Sequence, residues 1–345
     1  MRKKNVELIL SRELQNHNVS SGESVAQAQA HGKASLICLD LAGMRSQGLG
    51  VAERCQLETT FVPVSPRFLY RKIPSQFWIN PHKTIQPGDR GLAPYIISVG
   101  GTGGRVGSAI KKTSKNNHLL IQIQNPRQSL EPFDVVIANY HDEITGPNVL
   151  LTRTAMHRVS QTVLERERQK WDARLAIYPR PLIAVLLGGN NGRYSFGPKE
   201  AEKLSEDLAK IMQEQQAGLV ITPSRRTDPK VIAILQKKLG PLGAWIWDMQ
   251  GENPYFGLLS CADCIMVTMD SVSMVSEAVA TQAPVYIIEL PGKSRRIKLF
   301  LEYLLKIGRI RLFEGQLHIW PAEKLDDTDM AVEYIKEKVL KIGNP

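Results

Sequence analysis

The stretch Cys264-Ile-Met-Val-Thr-Met-Asp-Ser-Val-Ser-Met-Val-Ser-Glu-Ala278 changes character in its middle. Its first five residues form a short apolar run, as expected of a strand buried on both faces. Small polar residues follow, Asp270, Ser271 and Ser273, where a helix would begin. A strand running straight into a helix leaves the first helical N–H groups without partners, a seat for an anion. Met274 adds another such amide, and Glu277 falls one turn beyond Ser273 on the same face, within reach of a ribose diol. A capping box offers a plainer reading, but it does not need so many hydroxyl and acid groups.

The same grammar extends outward in both directions. Upstream come the strand Pro181–Leu187, a helix from Pro198 to about Gln213 with Ala201, Leu204, Leu208 and Ile211 on one face, and the strand Gly218–Thr222. Asp228-Pro229 then supplies a cap and first-turn proline for a helix that Gly240 closes. The strand Ala244–Asp248, a short helix from Pro254 to Ala262 and, downstream, the strand Pro284–Ile288 complete the series. Five strands alternating with helices predict an α/β fold with a doubly wound parallel sheet.

The first half repeats the pattern less cleanly. Ser35–Leu41 leads through Gly43 to a helix near Gln47–Arg54, and Tyr95–Gly100 runs into a glycine-rich turn and a helix ending near Lys112. Leu119–Ile123 and Phe133–Ala138 are further strands, and Pro63–Gly91 reads as an excursion from the sheet. A chain of 345 residues suits two domains. The expected division is a mobile extension over 1–34, a Rossmann-like domain over 35–176 and a second over 177–325. Lys170–Pro181 serves as linker, and a last helix within 326–345, about Thr328–Lys341, packs on either domain or across both.

Hydrophobic residues make up 43% and charged residues 23% of the chain, a soluble globular composition. No run matches a spanning helix, and Met1–Lys33 lacks the apolar core of a secretory signal, so a cytoplasmic setting is expected, with a peripheral seat on the inner face of a membrane as one option. A net charge of +10 implies an anionic partner. Nucleic acid is not expected, because no reading motif accompanies the charge. Pro66–Ile79 mixes cations with aromatics and suits either an anionic membrane surface or packing under a loop.

Several motifs fall to simpler explanations. Cys261 and Cys264 have metal-like spacing, but no second pair or nearby histidine completes a site, so both read as buried apolar residues. In the cluster Gly100–Gly107 the third glycine of a dinucleotide fingerprint is out of register, and the next strand ends without an acid, which argues against a nicotinamide cofactor and for tight turning and close approach to another molecule. Gly292-Lys-Ser294 lacks the upstream glycine of a phosphate loop, and Asp327-Thr-Asp329 reads as helix capping. Neither a resident cofactor nor a metal is expected.

Two further turns sit where ligands bind open α/β sheets, beyond the carboxyl ends of strands. One is Gly188-Gly189-Asn190, which is also an ordinary connection. The other is Ser224-Arg225-Arg226, whose forked cations suit a phosphate, although an arginine pair is often only surface. His141-Asp142 follows a strand of the first half; an imidazole suits a general base, and a turn is the plainer alternative.

These residues together resemble a family. Gly188-Gly-Asn190, Thr222-Pro-Ser-Arg-Arg-Thr227, Asn253-Pro-Tyr255 and Thr268-x-Asp270-Ser-Val-Ser-Met-Val-Ser-Glu-Ala278, with Pro126, His141-Asp142 and Gly146-Pro-Asn148, are similar to the mitochondrial-fission ELM family and its bacterial relatives. The resemblance covers roughly Ser35 to the C-terminus. It implies a GT-B-like fold, two Rossmann-like domains facing a cleft, with a nucleotide sugar as donor substrate. It further implies backbone N–H of Ser273 and Met274 on the diphosphate, Glu277 on the ribose, and Asn253 and Tyr255 near the base. A metal-independent transfer to an envelope glycan or lipid-linked acceptor follows, with Arg225 and the Ser273 helix start steadying the leaving group and His141 and Asp142 as base. A non-catalytic, fission-type adaptor that keeps the nucleotide fold is the competing expectation.

Overall fold

The computed structural model describes residues 32–66, 70, 73–85, 91–114 and 118–339. The stretch expected to be a mobile extension lies outside the described residues except for Gly32–Ala34, which already belong to the first strand.

The first domain carries the strands β1 (Gly32–Cys38), β2 (Leu57–Pro63), β3 (Tyr95–Val99), β4 (Leu119–Ile123), β5 (Val135–Asn139) and β6 (Val149–Thr152). They form a six-stranded sheet in the order β2-β1-β3-β4-β5-β6, every pair parallel. The order reverses between β1 and β3, and helices α1 (Ala42–Arg54) and α2 (Gly100–Thr113) leave from those two strands.

The second sheet contains β7 (Leu182–Leu187), β8 (Gly218–Pro223), β9 (Trp245–Ile246), β10 (Cys264–Thr268), β11 (Val285–Ile288) and β12 (Ile310–Leu312). Its order is β12-β11-β10-β7-β8-β9, again parallel throughout. All residues of β7, β8, β10 and β11 are buried, as their unbroken apolar runs require of strands covered on both faces. Helix α3 (Gln161–Leu175) precedes β7, and α4 (Pro198–Gln215), α5 (Pro229–Leu239), α6 (Tyr255–Cys261), α7 (Val272–Val279) and α8 (Arg295–Lys306) connect the strands. The capping chemistry works as the sequence suggested: the Asp228 carboxylate accepts from Lys230 N–H at 2.8 Å with Pro229 in the first turn. The free thiols of Cys261 and Cys264 lie buried here, and burial pushes the Cys264 thiol up to about 12.

Three expectations need correction. The glycine cluster is not a turn preceding a helix: α2 starts at Gly100, so the glycines occupy its first two turns. A Cβ at Gly103 would come within 2.5 Å of the Ile37 carbonyl oxygen, and one at Gly107 within 2.8 Å of Leu120. The close approach is therefore to the protein's own sheet. Next, Lys170–Pro181 is not the connection between domains. Trp171 and Leu175 of α3 are buried in the second domain's core, with Trp171 so tight against α6 that a Cβ at Gly257 would lie 2.3 Å from its ring. The chain crosses over earlier, between β6 and α3.

The third concerns the capping of the C-terminal helix α9 (Thr328–Lys338), which packs on the first domain. Its Ala331, Val332 and Ile335 join the core formed by β1, β3, β4, β5 and Val51, Ala52 and Cys55 of the α1 region. Asp327 does not cap it through its side chain. The Asp327 carboxylate instead takes the Arg153 guanidinium at 2.5 Å, while Arg54 of α1 reaches Asp326 at 2.9 Å and Asp329 at 2.7 Å. His157, wholly buried, lies 3.4 Å from Asp326, and its pKa falls to about 4 because burial outweighs that carboxylate.

Candidate functional site

Where β10 ends, Thr268 accepts from Gly188 N–H and donates to Asp270, each at 2.7 Å. The buried Asp270 carboxylate also accepts from Gly189 N–H at 3.2 Å and pairs with Arg226 at 2.8 Å. One side chain thus knots the loops after β7, β8 and β10 at the point where the strand order reverses. Gly188 and Gly189 are required there: a Cβ would stand 2.1 Å from the Asp270 carboxylate and 2.0 Å from the Arg226 carbonyl oxygen, respectively. Ser224 donates to the Gly188 carbonyl at 3.0 Å, and Asn190 accepts from Phe196 N–H at 2.9 Å. So Gly188, Gly189, Asn190, Ser224, Arg226 and Asp270 are brought together, and they bond largely within this group of loops. Arg225 differs: it is exposed and makes no ion pair or side-chain hydrogen bond among the described residues.

Helix α7 begins beyond this knot. Ser271 is its N-cap and accepts from Met274 N–H at 3.3 Å, so the Met274 amide is satisfied by the chain itself. The helix faces the first domain. Ser273 accepts from the Gln47 amide at 3.0 Å, Gln47 accepts in turn from Gln124 at 3.0 Å, and Ser276 accepts from Ala155 N–H at 2.9 Å. A Cβ at Gly43 would sit 3.0 Å from the Ser273 hydroxyl oxygen, so the N-terminal turns of α1 and α7 nearly touch. Neither carries an acid in its first turn, and Leu41 gives α1 no side-chain cap. Two helix starts thus lie side by side, with Asp270, bonded within the knot, and Asp40, paired with Arg45, as the acids that precede them.

Glu277, only 5% exposed, is held between the domains. Ser46 donates to one carboxylate oxygen at 2.7 Å and Tyr255 to the other at 2.5 Å. Burial raises its pKa, opposed by Tyr255 and Ser46. Asn253 accepts from Tyr255 N–H at 3.0 Å, fixing the start of α6. Sequence reasoning missed Ser46, Gln47 and Gln124; the only sign was that the segment Leu41–Gln47 leaves a strand carboxyl end.

His141 and Asp142 lie apart from this cluster. They form a short helical turn after β5 that clasps α8: Tyr140 donates to the Leu299 carbonyl at 2.7 Å, Arg296 pairs with Asp142 at 2.9 Å, and Arg295 pairs with Glu143 at 3.1 Å. Arg296 also approaches His141 Nε2 at 3.5 Å. Burial, then Arg296, lowers the His141 pKa to about 4, while burial raises that of Asp142 against the pull of Arg296. The expected open, near-neutral base is instead an uncharged imidazole packed in a domain contact. Among the described residues, the Glu277 carboxylate is bonded by Ser46 and Tyr255 and not by His141.

Residues 42–339 match the family model for mitochondrial fission ELM1. Mitochondrial fission protein ELM1 of Arabidopsis thaliana is 30% identical over 276 residues, covering 72% of this chain but only 64% of the relative. Uncharacterized protein RP120 of Rickettsia prowazekii (strain Madrid E) is 26% identical over 318 residues, 81% of this chain and 89% of its own. Among solved structures, UDP-GlcNAc 2-epimerase from Neisseria meningitidis bound to UDP-GlcNAc superposes with a TM-score of 0.52 at 13% identity, over 90% of this chain and 100% of that one. The UDP-GlcNAc 2-epimerase of Methanocaldococcus jannaschii gives 0.51 at 11% identity, over 89% and 92%. Os79 from O. sativa gives 0.50 at 10%, over 90% and 92%. Two parallel six-stranded sheets meeting through helices at their carboxyl edges, together with the match over 42–339, lead to one conclusion: the chain belongs to the mitochondrial fission ELM1 family and has a GT-B-like fold.

Proposed function

We propose that the protein binds a nucleoside-diphosphate sugar at the carboxyl edge of its second sheet and passes the sugar to a glycan or lipid-linked acceptor held by the first domain. The meeting of the α1 and α7 N-terminal turns carries this reading. Two helix N-terminal turns lying side by side, with no acidic side chain in either first turn, favour an anion beside them. Arg225, exposed and unpaired among the described residues, is the side chain available to the departing diphosphate. The fold is shared with epimerases whose substrate is a nucleotide sugar, which supports the donor class by analogy. Glu277 would take the ribose after exchanging Ser46 for a ligand hydroxyl.

The second reading, a nucleotide-fold adaptor without turnover, draws on a specific observation. His141, whose pKa is lowered to about 4, is engaged with Arg296 and is a poor base as it stands. Thermal-shift titration with nucleoside diphosphates and their sugars, followed by assay for released diphosphate, separates the two. Stabilisation by a nucleotide sugar with slow release of nucleoside diphosphate supports transfer. Stabilisation without any release supports the adaptor, and no stabilisation by any nucleotide, with wild-type folding intact, removes both.

A further inference from the structure

After β2 the chain makes an excursion that ends in an exposed apolar tip. Phe77 is 64% exposed, Ile79 75% and Ile73 41%, while Trp78 between them is 4% exposed. The tip is built rather than loose. Trp78 stacks on Tyr70 with ring centroids 5.0 Å apart, and its indole N–H donates to the Ile73 carbonyl at 2.9 Å. Tyr70 donates its hydroxyl to the Ile79 carbonyl, and Arg105 of α2 reaches the Trp78 carbonyl at 3.4 Å. Inward aromatic packing therefore holds Phe77 and Ile79 outward, where the exposure of two large apolar side chains to water is unfavourable unless a partner covers them.

Charge identifies the partner. From Thr59 to Gly88 the sequence carries four cations, Arg67, Arg71, Lys72 and Lys83, and no acidic residue. A sequence segment that carries cations and no acid suits an anionic bilayer, with the exposed apolar side chains of the tip entering the boundary with the acyl region. A protein partner would more often be met by charges of both signs around the tip. The excursion begins at the carboxyl end of β2 and contacts the early turns of α2.

We propose that Ile73, Phe77 and Ile79 form a membrane-contacting tip that docks the first domain on an anionic lipid surface. This docking does not depend on nucleotide binding or on sugar transfer, and its test uses neither. The full chain is sedimented with vesicles of phosphatidylcholine, with and without phosphatidylglycerol, over a range of salt. Binding is expected only with phosphatidylglycerol and should weaken as salt rises. Combining Phe77→Ser with Ile79→Ser should lower vesicle binding at least about 10-fold, given the area these side chains would bury, with an unchanged unfolding temperature. Phe77→Trp should keep binding and shift its emission to the blue when vesicles are added. Absence of binding to anionic vesicles at low salt, or full binding by the double variant, overturns the proposal. So does finding that the tip mediates self-association without binding vesicles.

Discussion

Ser46 of the first domain donates its hydroxyl to the Glu277 carboxylate of the second at 2.7 Å. The carboxylate is therefore already occupied by two hydroxyls, those of Ser46 and Tyr255, in the arrangement a diol could reproduce. Ser46→Ala should cost about 1 kcal/mol, the usual net value of a hydrogen bond, and slightly more if no water replaces it. The stabilisation conferred by a nucleoside diphosphate should grow, because the ligand no longer competes with Ser46. Thermal unfolding with and without nucleotide measures both. An equal or smaller ligand shift in the variant would argue that Glu277 does not receive the ribose.

Arg225 and Arg226 are adjacent yet built for different tasks. Arg226 pairs with buried Asp270, whereas Arg225 has no such partner among the described residues. Arg226→Ala should lower stability by roughly 2 kcal/mol, a partly exposed cation leaving a buried carboxylate behind. Arg225→Ala should leave the unfolding midpoint in urea unchanged and weaken nucleoside-diphosphate binding several-fold or more. Reversed behaviour of the two variants would place the anion contact on Arg226.

Acid should destabilise the fold through His157. Its folded pKa of about 4 lies below the ordinary histidine value of 6.5, so the unfolded chain binds the proton more readily. The stability it contributes is present above pH 6.5 and is lost as pH falls from there toward 4, up to an amount on the order of 3 kcal/mol. His141 adds to the same window, since its pKa is also about 4. Urea midpoints between pH 7 and pH 4 should fall steeply in the wild type and less steeply in His157→Gln. A slope unaffected by that substitution would assign the acid transition elsewhere.

Gly103→Ala tests the contact between α2 and the sheet. The added methyl would meet the Ile37 backbone oxygen at 2.5 Å, and a strand in the middle of a sheet cannot retreat. A loss of about 2 kcal/mol or more is expected from overpacking, despite alanine's better helix propensity. By contrast, Gly240→Ala, which meets nothing within 4 Å, should be close to neutral.

The sequence was most legible where local pattern and burial coincide. Leu182–Leu187 and Cys264–Thr268 are unbroken apolar runs, and their strands stand where the runs do. Strand β2 was not anticipated because Leu57–Pro63 lies at the sheet edge, half exposed, with Glu58 and two threonines diluting the pattern. Strand β12 is three residues long with Arg311 at its centre. In the site, Glu277 could be singled out by its distance from Ser273 along one helix. Its partner Ser46 could not, because 231 residues separate them and nothing local marks a hydroxyl that will meet a carboxylate across a domain boundary. The same limit misled the reading of His141: residue type suggested a base, but basicity depends on burial and on Arg296, which arrives from a distant helix.

Because Ala331, Val332 and Ile335 complete a core begun by β1 and α1, the first domain spans nearly the whole described chain and the second is threaded into its middle. During synthesis on a ribosome, the earliest strands to emerge must wait for the last helix before that core is sealed. The second domain, contiguous from α3 to β12, has no such delay and can mature first. Order of birth and order of folding are thus inverted, and a ribosome stalled before Thr328 would leave the older half the less protected against proteases.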